Sequence, residues 1–137
     1  MIRAVLDTNV VISAHLGFEG PASLIFDLLF SRFFRGYVSE ALLSEYEQVL
    51  NRPRFRLARR DISKSMRLVR KATILVVPKF YLQVTSDPDD NKVVECALEA
   101  RADYIVTGNI RHFPKRFQDI RTILPRQFLI ILASEPG

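Results

Sequence analysis

Short apolar runs alternate with longer amphipathic stretches along this chain, and that alternation constrains the fold more than any other feature. The apolar runs predict strands at 2–6, 36–38, 73–77, 104–107 and 121–124. The helical spacing predicts a helix from about residue 9, broken at 17–20 and resuming from 21 to 33, and further helices at 39–50, 61–72, 88–101 and from 125 onwards. The pattern predicts an α/β fold, a three-layer α/β/α sandwich with a mostly parallel sheet of about five strands.

The composition indicates a globular protein and gives a first hint of its partner. We expect a single domain over residues 1–137, since 48% of the residues are apolar and no low-complexity linker divides the chain. The formal charge of +5 favours a polyanionic partner. The one cysteine, Cys96, and the lack of a visible signal peptide favour a cytoplasmic location. The apolar runs are shorter than the roughly 18 residues of a membrane span, so we expect no membrane association.

Asp7 directly follows the first predicted strand. In open parallel sheets, ligands bind beyond the carboxyl ends of the strands, which places this carboxylate on the expected binding edge. An equally simple explanation is that Asp7 caps the following helix, because Asp is a favoured N-cap residue. The position alone does not decide between these alternatives.

Two further acidic residues lie on predicted apolar helix faces. Helical spacing puts Glu45 among Leu42, Tyr46 and Val49, away from the polar face of the same helix. Asp90 begins an apolar stripe, while its neighbour Asn91 is predicted on the solvent side. An ionised carboxylate facing a core is costly unless it is paired or bound to a metal. We therefore expect both to be functional. The alternative for Asp90 is an interaction with the helix dipole or a capping role, which does not explain why Asp90 begins the apolar stripe.

A pocket for a hard divalent cation follows from these positions. Asn109 comes just after the 104–107 strand, on the same edge as Asp7. Asp7, Glu45, Asp90 and Asn109 would supply the oxygen ligands that Mg²⁺ or Mn²⁺ prefers. His15 and His112, the only histidines, lack the spacing of a zinc site and are predicted to be surface or turn residues.

Basic residues are concentrated just after the Glu45 helix. They are Arg52, Arg54, Arg56, Arg59, Arg60, Lys64, Arg67, Arg70 and Lys71. Two interpretations stay open: a solvated helix face, or a groove that follows the phosphates of a nucleic acid. Phe55 lies among these charges and is suited either to packing or to stacking on a base.

Three segments together resemble the PIN-domain family of nucleases. "AVLDTNVVISA" is similar to the opening strand and first acid of that family, "SEALLSEYEQVLNRPRF" to its second-acid helix, and "DPDDNKVVECALEARADYIVTGNIRHF" to its third-acid helix and following strand. The resemblance covers nearly the whole chain and is greatest to toxins of toxin–antitoxin pairs. It implies a PIN-like fold with the three acids at Asp7, Glu45 and Asp90, and supporting polar groups at Thr8, Asn9 and Thr107.

The resemblance also implies the reaction and the partners. It implies hydrolysis of RNA in preference to DNA, a cognate antitoxin protein, and self-association. The oxygen ligands described above predict that the reaction depends on Mg²⁺ or Mn²⁺. The concentration of positive charge predicts that the nucleic acid is contacted by Arg52, Arg54, Arg56, Arg59 and Arg60. The fourth acid of the family is replaced here by Asn109, which leaves open a catalytically weak domain that binds RNA or a partner. An aspartyl-phosphate phosphatase is disfavoured, because the second acid of that mechanism would stand where this chain has Asn9.

Surface apolar residues are candidates for the contacts of self-association. Phe30, Phe33 and Phe34 are suited to such an interface, and core packing explains them equally well.

Overall fold

The computed structural model describes residues 1–17 and 19–134. Its strands are β1 (Arg3–Leu6), β2 (Arg35–Val38), β3 (Thr73–Leu75), β4 (Tyr104–Val106), β5 (Arg116–Phe117) and β6 (Ile120–Ile123). Its α-helices are α1 (Thr8–His15), α2 (Pro21–Phe30), α3 (Glu40–Leu50), α4 (Arg59–Ala72), α5 (Pro88–Ala100) and α6 (Pro125–Ser134), with short 3-10 helices at Pro53–Phe55 and Ile110–His112.

One six-stranded sheet organises the molecule, in the order β3-β2-β1-β4-β6-β5. Every neighbouring pair is parallel except β5 and β6, which are antiparallel. With helices on both sides, the predicted α/β sandwich and its mostly parallel sheet are confirmed. From β1 the chain adds β2 and then β3 on one side of β1 within the sheet, whereas β4 pairs with β1 on its other side. The carboxyl ends of β1 and β4 therefore flank the crevice where such sheets bind ligands.

The sheet differs from the prediction by one added strand. β5 has only two residues, too few for any periodicity to show in the sequence. It pairs with β6 through Arg116 opposite Arg121 and Phe117 opposite Ile120. The remaining strand predictions are correct in place and shift by one or two residues at their ends, where hydrogen bonding decides the boundary.

Helix α2 ends earlier than predicted. It was expected to continue to Phe33 but ends at Phe30, and Arg32 takes a left-handed conformation with φ of 62°. The turn buries Phe34 in the core at 2% exposure and leaves Phe33 65% exposed. Phe34 is therefore a core residue and not a candidate for a surface contact. The predicted break at 17–20 lies between the end of α1 and the start of α2. Within it, Gly17 takes a positive φ of 76°, and Phe18 lies outside the described residues.

The core lies between the sheet and its helices and includes Val5, Ile25, Leu42, Ile105 and Phe128. In parallel sheets of this type, both faces are covered, so β1 and β4 are almost wholly buried. Among residues 1–17 and 19–134, no helix is long and apolar enough to cross a membrane.

Candidate active site

An open cleft of about 410 Å³ lies at the carboxyl ends of β1 and β4. It brings together side chains that are far apart in the chain. The polar and aromatic residues lining it include Asp7, Thr8, Asn9, Glu45, Arg52, Arg54, Phe55, Asp87, Asp89, Asp90, Asn109 and His112. All four residues predicted from the sequence to bind a metal are in this set.

Asp7 is buried in the site and accepts three hydrogen bonds. Its Oδ1 accepts a hydrogen bond from the backbone N–H of Thr8 at 2.8 Å, which makes Asp7 the N-cap of α1. Its Oδ2 accepts from Asn9 Nδ2 at 2.8 Å and from Thr107 Oγ1 at 2.7 Å. Burial nevertheless raises the pKa of Asp7 above its usual value, although all three hydrogen bonds lower it. Asp7 therefore both caps α1 and lines the cleft.

Thr107 and Asn9 connect the ends of β1 and β4. Asn9 Oδ1 accepts from the backbone N–H of Gly108 at 2.9 Å, and Thr107 Oγ1 accepts from the backbone N–H of Asn109 at 3.0 Å. These bonds fix the loop after β4 against Asp7. They place Asn109 at the cleft as an exposed side chain, without a charge of its own.

Glu45 projects from the buried face of α3, where helical spacing predicted it, and its side chain is 9% exposed. Thr8 Oγ1 donates a hydrogen bond to Glu45 Oε2. Oε1 is the one buried side-chain oxygen or nitrogen without a hydrogen-bond partner in the described part of the chain. Lys92 Nζ lies 3.9 Å from that oxygen and 2.9 Å from Asp89 Oδ1. Burial, which the negative charge of Asp89 reinforces, raises the pKa of Glu45 to about 7.

Asp90 lies in the first turn of α5 with its side chain 14% exposed. Burial and the negative charges of Asp7 and Asp87 raise the pKa of Asp90 to about 6. His112 Nδ1 lies 3.6 Å from Asp90 Oδ2. The histidine is largely exposed, as predicted for a surface or turn residue, yet it also lines the cleft. His15 instead packs edge-on against Phe26.

The beginning of α5 contains residues whose roles helical spacing did not identify. Asn91, predicted to face solvent, is 7% exposed, and this prediction was wrong. Its Oδ1 accepts from both the backbone N–H and the hydroxyl of Thr85 at 2.9 Å, because the segment before α5 folds back over the helix. Asp87 caps α5 by accepting from the backbone N–H of Asp89 at 2.9 Å. No feature of the sequence indicated that Lys92 of α5 lies beside Glu45 of α3.

The predicted basic region divides in the structure. Arg52 and Arg54 line the cleft, whereas the lining does not include Arg56, Arg59 or Arg60. Arg56 is the left-handed residue that ends the 3-10 helix, and the other two begin α4. Further along α4, Arg70 forms a two-pronged salt bridge with Glu40, at 2.8 and 3.1 Å. Charge density along the sequence therefore does not identify the arginines that reach the cleft.

The donor set at the cleft fits an oxygen-preferring divalent cation. Three carboxylates with raised pKa values, and a buried oxygen of Glu45 that accepts no hydrogen bond, indicate negative charge that Lys92 and His112 offset only in part. Among residues 1–17 and 19–134, no group of three Asp, Glu, His or Cys side chains is arranged to hold one ion jointly. Mg²⁺ commonly uses one or two carboxylates, with waters and substrate phosphates as its other ligands, so the two observations are compatible.

Comparisons with known proteins agree with this fold. The chain is 30% identical over 111 residues to a protein of Methanocaldococcus jannaschii that is itself uncharacterized, and the match covers 79% of this chain and 71% of that protein. The sequence profile described as "PIN domain" matches residues 3–111, a span from β1 to the second 3-10 helix. It includes Asp7, Glu45, Asp90 and Asn109. The chain therefore belongs to the PIN-domain family, whose members are generally nucleases.

Proposed function

We propose that this protein is a Mg²⁺- or Mn²⁺-dependent endoribonuclease that hydrolyses RNA phosphodiester bonds in the cleft. The observation that carries the proposal is the meeting of Asp7, Glu45 and Asp90, from three separate elements, in one cleft with raised pKa values. Buried carboxylates that are poorly compensated are typical of functional sites. One or two of the carboxylates of Asp7, Glu45 and Asp90 would bind the cation directly, and the others, with the neutral oxygen of Asn109, would bind it through its waters.

Each residue has a distinct part in this proposal. A divalent cation supplies Lewis-acid activation of water and neutralises charge on a phosphoryl group. Asp7 is held in one orientation by its three hydrogen bonds, and Thr8 orients Glu45 in the same way. Arg52 and Arg54 place positive charge on the wall of the cleft, where they would bind the phosphates on either side of the reacting one.

We also propose a biological setting, which rests on the resemblance to toxins. The chain would act in the cytoplasm on cellular RNA as the toxin of a toxin–antitoxin pair, held inactive by an antitoxin protein, and would self-associate. Phe33, at 65% exposure, and Phe30, at 38%, are apolar surface available for such contacts. Copurification of a small protein encoded by an adjacent reading frame tests the antitoxin. Sedimentation of the isolated chain tests self-association.

Cleavage of RNA by purified protein tests the activity. We expect Mn²⁺ to support cleavage, EDTA to stop it, and Asp90→Asn to reduce it by about 1,000-fold or more, as the loss of a central catalytic group does. Asp27→Asn, on the exposed surface of α2, is the matched control and should cleave like the wild type. Metal-loaded wild-type protein that leaves varied RNAs intact would contradict the proposal.

One observation favours a second candidate, a PIN domain that binds RNA or a partner without cutting. Asn109 occupies the place of the fourth acid, so the cleft carries one negative charge fewer for a second cation. Tight RNA binding by a chain that shows no cleavage with Mg²⁺ or Mn²⁺ would select this candidate. Cleavage that is lost in Asp90→Asn and retained in Asp27→Asn would exclude it.

A further inference from the structure

The 3-10 helix Pro53–Phe55 forms a wall of the cleft, and holding a cation does not explain its composition. Arg54 and Phe55 both line the cleft that contains Asp7 and Asp90. The guanidinium carbon of Arg54 lies 4.8 Å from the centre of the Phe55 ring. Phe55 is half-buried and packs against the core, whereas Arg54 is exposed. A planar cation thus lies over an aromatic ring beside the carboxylates.

The turn that carries this pair is held by its backbone. The N–H of Phe55 donates to the carbonyl of Arg52 at 3.0 Å, and the N–H of Arg56 donates to the carbonyl of Pro53 at 3.1 Å. Pro53 restricts its own φ, and Arg56 ends the turn in the left-handed region at φ of 53°. With the Phe55 ring also packed on the core, the pair is arranged in advance, so ordering it on binding costs little entropy.

The guanidinium groups of Arg52 and Arg54 are available to bind an anion. Within the described ranges, neither Arg52 nor Arg54 forms a salt bridge. A guanidinium stacked on a ring keeps its in-plane N–H groups for phosphate oxygens or a base edge, while its flat faces suit stacking. Surfaces that combine aromatic and arginine planes are typical of sites for single-stranded nucleic acid.

We propose that Arg54 and Phe55 form a stacking platform for one unpaired nucleobase of the substrate, next to the phosphate that lies at the carboxylates. This inference rests on the proposed function, from which it takes RNA as the substrate, and it specifies single-stranded RNA. A base within a duplex is stacked between its neighbours and presents only an edge, so it does not reach the platform.

Binding measured without cleavage tests the platform separately from the activity. The probes are a fluorescent oligouridine of about 12 nucleotides, a duplex of equal length, and an abasic ribose-phosphate oligomer of equal charge. Fluorescence anisotropy in EDTA would compare the full-length wild type with Phe55→Leu, which keeps the apolar volume, and Arg54→Lys, which keeps the charge. Phe80→Leu and Arg67→Lys are the matched controls away from the cleft.

We expect each platform variant to weaken oligouridine binding about 5- to 100-fold, the loss associated with one stacked base. Both should bind the abasic oligomer and the duplex like the wild type, and the controls should match the wild type on all probes. Equal losses on oligouridine and abasic oligomer, or no loss on either, would overturn the platform. Because Arg54 is exposed, Arg54→Lys provides the test even where Phe55→Leu affects folding. If the variants show these binding differences but the wild type cleaves no RNA, the proposed enzyme activity is refuted and the stacking platform is supported.

Discussion

Replacing Glu45 with Gln should make the metal-free protein more stable at neutral and higher pH. Burial raises the pKa of Glu45 to about 7 from its usual 4.5, and its Oε1 is buried without a hydrogen-bond partner. That difference corresponds to at most about 3 kcal/mol of unfavourable free energy for the ionised side chain. Since Thr8 and Lys92 still interact with the variant, we expect Glu45→Gln to raise the free energy of unfolding by about 1–3 kcal/mol.

The pH dependence gives the sign of the effect. The folded-state pKa lies above the unfolded-state value, so the folded chain binds more protons between pH 4.5 and about 7. The stability of the wild type therefore falls as the pH rises through that window and levels off above it. Glu45→Gln should lack this component, so its advantage should be largest at about pH 8 and small at about pH 4.5.

Urea denaturation followed by circular dichroism in EDTA measures the effect. Glu47→Gln, on the exposed side of the same helix, is the matched control and should change stability little. Added Mg²⁺ should stabilise the wild type more than Glu45→Gln, because a ligand stabilises only the state that binds it. A Glu45→Gln protein that is less stable than the wild type at about pH 8, or an advantage that does not vary with pH, would refute the argument that burial outweighs the contacts of Glu45 with Thr8 and Lys92.

Three further substitutions test other parts of the site. Thr107→Val removes the buried hydroxyl that donates to Asp7 and should cost about 1–3 kcal/mol of stability in urea denaturation, whereas Thr107→Ser should cost less because it keeps the donor. Asn109→Asp adds the fourth acid and should increase Mn²⁺ affinity by about tenfold in calorimetric titration; unchanged affinity would show that Asn109 does not face the ion. Arg70→Ala removes an exposed salt bridge with Glu40 and should leave both RNA binding and the urea midpoint close to those of the wild type.

Local periodicity was sufficient for part of the site. Glu45 is recognisable from the sequence because helical spacing places it on the apolar face of its helix, and the structure buries it there. Asp7 is recognisable because it ends an apolar strand. The same reasoning failed for Asn91, since the segment that covers it arrives from Thr85 and not from its own helix. Helical spacing describes one element and does not include what packs over it.

The basic region shows that a concentration of charge in the sequence also fails to identify which residues reach the cleft. The sequence concentrates arginines between residues 52 and 71, but Arg52 and Arg54 line the cleft while Arg70 pairs with Glu40 on another face. A left-handed residue at Arg56 turns the chain between them. Because a single backbone turn redirects all later side chains, a count of charges along the chain does not specify which ones face a ligand.

The sequence by itself determined the main alternation of strands and helices, the apolar face of α3 that carries Glu45, and the place of Asp7 directly after β1, because these depend on residues near in the chain. Only the tertiary structure decided that Asp7, Glu45 and Asp90 share a cleft with Arg54 and Phe55, that Thr107 holds Asp7, and that Lys92 and His112 lie beside the acids. Those relations depend on strand order and on the paths of the connecting segments, which bring together side chains such as those of Asp7 and Thr107, 100 residues apart.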